Sequence, residues 1–194
     1  RFPVHPGSAP DMIDALVGNG DNRVFQALDG DEVLELRAID EQASLGSMAS
    51  DVGPTVEKFA AHLSGDIRRE LVEFVEAPKP TEGLIPDTPY VQLRHVEVKP
   101  QQMAAYRQWR ENTIFNVVRD SGAVEIFLAY HSVVSGYPGV MFVSGYSVDP
   151  DTYGEVFASE RYKEIVRTAS ETYITGGTEG LYTRTYRNQS AIAA

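Results

Sequence analysis

His131, Arg110, Tyr130, Arg94 and His95 are the residues of this 194-residue chain whose types and placing suit proton and anion chemistry. A neutral imidazole accepts a phenolic proton near pH 7, and a guanidinium nearby holds the phenolate or enolate that results. Such an electron-rich carbanion passes an electron to dioxygen without a metal, which is what a cofactor-free oxygenation needs. Without dioxygen, the same base and donors polarise a ketone for aldol ring closure.

The alternation of strand residues decides which of these groups can meet. Phe127, Ala129, His131 and Val133 share one face of the run Glu125 to Val134, and Ile126, Leu128, Tyr130 and Ser132 share the other. His95 falls with Val91 and Leu93, whereas Arg94 falls with Tyr90, Gln92 and Val96. At 100° per residue, Met103, Tyr106, Thr113, Ile114 and Val117 form a helical stripe with Arg110 near its centre. A cation on a core-facing stripe is costly unless it reaches a wet pocket, snorkels out or is paired, with Glu97 or Glu125 as the expected partner.

All 10 tyrosines lie from Tyr90 onward, together with the single tryptophan and two of the four histidines, so a site is expected in the second half. An aromatic, hydroxyl-lined cavity suits a planar oxygenated ligand. His95, Arg94, Tyr106, Tyr146 and Phe142 are the residues expected to bind it. The alternative is that these aromatics simply build strands and a packing face.

Charge separates the halves in the same way. Residues 1–87 carry 7 Lys and Arg against 17 Asp and Glu, whereas residues 88–194 carry 10 against 11. With a net charge of −11 and no basic run, phosphate neutralisation is excluded as a binding mode, so neither nucleic acid nor an anionic membrane is expected. No apolar run approaches the roughly 18 residues of a membrane helix, and a soluble, cytoplasmic chain is expected. The absence of cysteine removes disulfides, thiolate metal sites and cysteine nucleophiles.

Several short motifs fail. Gly18-Asn19-Gly20-Asp21-Asn22 is a turn without the third glycine of a dinucleotide fingerprint. Gly7-Ser8 and Ser44-Leu45-Gly46-Ser47 lack the surroundings of a nucleophile elbow. Asp149-Pro150-Asp151 has a proline where a calcium loop needs a flexible ligand. No H-x-x-x-H spacing occurs, so no metal and no cofactor are expected.

The elements that position the candidates read as two similar halves. Glu76 to Pro89 holds four of the 11 prolines and is the connector. After it come a strand from Tyr90 to Val98, a helix from Gln101 to about Ser121, strands Glu125–Val134 and Gly139–Val148 around Ser135-Gly136-Tyr137-Pro138, and a helix opened by Asp149-Pro150-Asp151. Tyr162, Ile165, Val166, Ala169 and Tyr173 give a further buried stripe, Gly176-Gly177 stops it, and a strand runs from Gly180 to Arg187. That order, β-α-β-β-α-β, is ferredoxin-like. The first half reads alike: a strand stump at Phe2-Pro3-Val4, a helix from Pro10 to Val17, a hairpin of Arg23–Leu28 and Glu32–Ile39, and a long helix from about Pro54 to Glu76. The expected fold class is α+β, with repeats at 1–77 and 90–190 joined by a linker at 78–89 and paired as a pseudo-dimer.

Val91 to Met103, a strand running through Lys99-Pro100 into a helix, Tyr106 to Asn112, and Phe157-Ala158-Ser159-Glu160-Arg161-Tyr162 resemble the dimeric α/β-barrel superfamily, in particular its antibiotic-biosynthesis monooxygenases. The resemblance implies a cofactor-independent monooxygenase acting with dioxygen on an aromatic, polyketide-like or polyphenolic substrate, and a possible homodimer. By that resemblance Trp109 and Asn112 would hold the substrate and its enolate, and they join His131, Arg110 and Tyr130 as the catalytic candidates. A polyketide cyclase or isomerase of the same fold is the alternative. A haem-binding barrel is another, although the helix after Asp151 offers no axial histidine, leaving His62 or His131.

Overall fold

The computed structural model describes residues 1–17, 22–39, 50, 52–136 and 138–189. The segments Gly18–Asp21 and Ser44–Ser47, and Tyr137 of the hairpin turn, fall outside them. Two compact units are present: residues 1–69, 83–87 and 186–194, and residues 70–82 and 88–185.

In the first unit, β1 (Phe2–Pro3), β3 (Glu32–Arg37) and β2 (Asn22–Ala27) lie in that order, all antiparallel. The hairpin turns at Gly30, whose φ of 80° favours a residue without Cβ. The short helix α1 (Ala9–Leu16) buries Ala9, Met12, Ile13 and Leu16, the three-and-four spacing of one face. Phe59, at the end of α2 (Val52–Phe59), closes this core edge-to-face against Phe2, with ring centroids 5.8 Å apart.

The expected helix from Pro54 to Glu76 is corrected by the structure. It ends at Phe59, and Leu71–Lys79 is a strand, β4, antiparallel to β6 (Ile126–Val134). The apolar residues Leu71, Val72, Phe74 and Val75 fit a helical period and a strand alike over so short a span. Pairing with β6 decides between them. Pro78 is compatible because β4 ends the strand order, where one row of backbone groups has no partner strand among the described residues.

The second unit orders its strands as β8 (Leu181–Asn188), β5 (Tyr90–Val96), β7 (Val140–Tyr146), β6 and β4. Its helices are α3 (Met103–Asn112), α4 (Ile114–Asp120), α5 (Pro150–Glu155) and α6 (Glu160–Thr172). The single helix expected from Gln101 to Ser121 breaks at Thr113, where φ is −126° and ψ is −81°. The Thr113 hydroxyl donates to the Trp109 carbonyl at 2.7 Å, competing with the helical ladder. Asp149 and Ser159 cap α5 and α6 by accepting from backbone amides.

Gly176 and Gly177, with φ of 70° and 62°, end the last helical segment as the sequence suggests. Gly180 is fixed by space instead, since a Cβ there would collide with the Thr175 carbonyl and sit 2.7 Å from Ile174. Gly180→Ala should therefore cost about 1–3 kcal/mol, read by denaturant unfolding, and a loss below about 0.5 kcal/mol would show that the turn yields freely.

The helix-side face of this sheet carries one core of Val96, Phe127, Ala129, Val140, Phe142 and Tyr146 packed against Tyr106, Phe115, Val118, Tyr153, Tyr162 and Ile165. A cavity opens in this layer. Among the described residues no helix is long and apolar enough to cross a membrane.

Candidate active site

A cavity of about 270 Å³ lies between the helix-side face of the second unit's sheet and its helices. Strand alternation delivers Arg94 and Val96 from β5 and Phe142 from β7, and β8 adds Leu181 and Thr183. From α6 come Tyr162, Ile165, Val166 and Ala169, an i, i+3, i+4, i+7 stripe, while α3 and α4 supply Tyr106 and Ile114. The wall is mainly apolar and aromatic, and its polar groups are few.

Those few are all donors or cations. The Arg94 Nη1 donates to the Tyr162 hydroxyl at 2.6 Å, its Nη2 donates to the Gln92 side-chain oxygen at 3.1 Å, and its guanidinium sits 5.0 Å from the Phe157 ring centroid. No carboxylate among the described residues pairs with it. Desolvation pulls the Arg94 pKa down, but the phenols of Tyr162, Tyr153 and Tyr106 outweigh it and the net shift is upward, so the group stays charged. Tyr162 accepts from Arg94 and keeps its own hydrogen to give. Burial raises the Tyr106 phenol, against the opposing pull of Arg110, so Tyr106 also remains a donor at neutral pH.

Tyr146 stacks on Tyr153 with centroids 3.8 Å apart and on Tyr90 at 5.5 Å, and Phe157 bridges Tyr153 to Tyr162 at 5.2 and 4.9 Å. Burial pushes the Tyr146 and Tyr153 phenols up to about 12. The ladder makes a stiff back for the Arg94 side of the cavity. Of the expected binding residues, Arg94, Tyr106 and Phe142 thus line the cavity, while Tyr146 stands one ring behind it.

Arg110 lies wholly inside the core. Its partner is neither Glu97 nor Glu125 but Glu76 of β4, with which its Nη2 makes a short ion pair. The guanidinium lies 5.6, 5.3 and 5.4 Å from the rings of Tyr106, Phe115 and Phe142. His131 shares the helix-side face, and its Nε2 is buried without a partner among the described residues. Desolvation, then Arg110 and Arg107, hold its pKa below the usual imidazole value, against Glu73 and Glu76.

A depressed pKa means that unfolded His131 binds more protons than folded His131 once the pH falls below about 6.5. Its contribution to stability is complete above that pH and is lost on acidification through the folded value. His131→Gln should accordingly flatten the loss of stability between pH 7 and pH 5 relative to wild type, measured by urea midpoints. Parallel curves would remove His131 from the acid response.

Other candidates lie elsewhere. His95 is buried on the opposite face, 3.0 Å from a Glu70 carboxylate oxygen that also accepts from Ser135, so it does not reach the cavity. Tyr130 also faces away, edge-to-face with Phe74 at 6.0 Å. Asn112 is exposed, and its amide donates to the Gln108 carbonyl at 2.9 Å. Trp109 packs with Tyr106 and Tyr173 at 6.0 and 5.1 Å, behind the wall rather than on it. His62 follows the end of α2 in a turn, 3.9 Å from Asp11. Reading residues singly misses Tyr162, Phe157 and Thr183, although Tyr162 heads the α6 stripe that the sequence displays.

No family model matches the sequence, and no curated protein matches it. Among solved structures, the fold is similar to that of an anthrone oxidase-like protein, with a TM-score of 0.66 and 14% identity over 96% of this chain and 88% of that one. It is also similar to a protein named "Putative monooxygenase" from Fusobacterium nucleatum subsp. nucleatum ATCC 25586, with a TM-score of 0.60 and 10% identity over 96% and 88% of the two chains. A protein of the same name from Lactobacillus acidophilus NCFM gives 0.54 and 11% over 96% and 90%. The chain thus has an α+β fold similar to the folds of these proteins. At these identities the likeness is one of fold, and activity is argued from the cavity.

Proposed function

We propose that the protein is a cofactor-independent monooxygenase that oxidises a planar, hydroxylated aromatic substrate of polyketide-like chemistry, as in the biosynthesis of aromatic natural products. The observation that carries this reading is Arg94, a guanidinium at the cavity wall with a phenol and an amide as its hydrogen-bond acceptors and no carboxylate partner among the described residues. A cation left uncompensated in an apolar site is costly unless a ligand anion completes it. With Tyr162, Tyr106 and Thr183 as neighbours, it is preorganised for the oxygen of an enolate or phenolate.

The stoichiometry then needs no external reductant. A ring methylene loses a proton, the carbanion transfers an electron to dioxygen, and radical recombination gives a peroxide at that carbon. Elimination of water leaves a carbonyl: one oxygen atom enters the product and the other leaves as water, all electrons coming from the substrate. Aromatic side walls exclude solvent from the radical pair. His131 and Arg110 are assigned to this reaction as proton acceptor and supporting cation.

A cyclase would use the same donors without dioxygen, which makes gas uptake the deciding measurement. Anthrone supplied to the aerobic protein should yield anthraquinone with one dioxygen consumed per product, and ring-closed or unchanged material with no uptake would overturn the reading. A haem-binding role is the less supported alternative, since no histidine lines the cavity. We also read the chain as a tandem repeat, because the fourth strand of each half pairs with the second strand of the other: β4 with β6, and β8 with β2. Two copies joining as a homodimer is part of this proposal, tested by sedimentation.

A further inference from the structure

We propose that Arg110 is a positioning residue of the cavity, acting from behind its wall through the Tyr106 ring and on His131. The proposal deepens the monooxygenase reading and rests on it only for the identity of the ligand. Three observations converge. Two of the rings around the guanidinium, Tyr106 and Phe142, are themselves cavity wall, so Arg110 stands one aromatic layer from the ligand. Glu76 fixes it from one side through Nη2, leaving Nε and Nη1 buried with no partner among the described residues. The register of β4 on β6 sets Glu76 opposite Ala129 and Glu73 opposite His131, so the clamp and the imidazole occupy neighbouring rungs of the same ladder.

A cation held by a single carboxylate in a dry core projects most of its field onto what lies on its other sides. One side is Tyr106, whose hydroxyl it makes a better donor than burial alone would leave. The charges that act on His131 are Arg110 and Arg107 from α3 and Glu73 and Glu76 from β4, with Glu73 directly opposite it in the ladder. There desolvation first, and the two arginines after it, hold the imidazole in its neutral form, able to accept a proton. Cavity-lining residues include no carboxylate and no imidazole, and His95 is paired with Glu70 on the other face, so His131 is the imidazole that shares the cavity's face of the sheet.

The test uses the full chain as Arg110→Met, which keeps most of the volume, Arg110→Lys, which keeps the charge, and Glu76→Gln. His131 is titrated by NMR without any ligand, 1-naphthol binding is followed by Trp109 fluorescence, and kcat and KM are measured for anthrone oxidation. Arg110→Met should raise the His131 midpoint and lower kcat about 10²-fold while KM moves by less than about threefold. Arg110→Lys should restore the midpoint and part of kcat. A folded Arg110→Met with a wild-type His131 midpoint, or a Lys variant no better than Met, overturns the proposal. Should Arg110→Met fail to fold, the double variant Arg110→Met with Glu76→Gln decides, because deleting the cation must raise the midpoint above that of Glu76→Gln alone and an unchanged value overturns the assignment. If wild type oxidises no anthrone, the monooxygenase reading falls while the His131 midpoint still settles the role of Arg110.

Discussion

Arg94→Gln should lower kcat/KM for anthrone oxidation by about 10²–10³-fold, the usual effect of deleting a preorganised donor from an anion-stabilising site. The glutamine keeps hydrogen bonding to Tyr162 within reach but removes the charge, so the loss measures electrostatics rather than packing. Because Arg94 has no carboxylate partner among the described residues, nothing charged is stranded by its removal, and the thermal midpoint should hold or rise slightly. Arg94→Lys should recover only part of the rate, since an ammonium cannot serve the Tyr162 hydroxyl, the Gln92 amide and a ligand oxygen with the geometry of a planar fork. Steady-state oxygen uptake with parallel thermal melts checks both halves. A glutamine variant within about threefold of wild type would remove Arg94 from the chemistry.

Arg110→Ala should destabilise the second unit strongly. It deletes a fully buried side chain touching three rings and strands the Glu76 carboxylate, so cavity and unpaired-charge penalties add. The expected loss is about 3–5 kcal/mol, toward the lower figure because Glu76 is a third exposed and water can solvate it. That corresponds to a fall of about 10 °C in Tm. Converting the pair together, Arg110→Met with Glu76→Gln, should recover much of it, because neither charge is then buried alone. Urea unfolding followed by circular dichroism provides the numbers, and a single-variant loss under about 1 kcal/mol would mean that the clamp is not a stabilising contact.

These two arginines also mark how far local sequence pattern reaches. Arg110 is conspicuous because helical periodicity is local: a cation on an apolar stripe is visible within two turns of sequence. Its partner is hidden, because Glu76 comes from a strand whose apolar residues fit a helix equally well until β6 pairs with it. Alternation alone places Arg94 on its face of β5. That Tyr162 meets it, 68 positions away, depends on how α6 packs on the sheet. The second half, with clear caps, a Gly-Gly stop and strong alternation, matches the expected order of elements. Asn112 and Trp109 enter through resemblance, and the break at Thr113 together with the turn of α3 leaves one in solvent and the other behind Tyr106.

The strand β8 has a further consequence, which concerns the order of synthesis. Its residues Tyr186 to Asn188 pair with β2, and the Tyr186 hydroxyl donates at 2.6 Å to Glu32, 154 positions earlier. A chain emerging from the ribosome must therefore carry β2 with one bare edge until β8 has been made. The first unit, although encoded first, is completed last. The acidic character of residues 1–87, with 17 carboxylates against 7 basic groups, gives that waiting segment charge repulsion against association with its neighbours on a polysome.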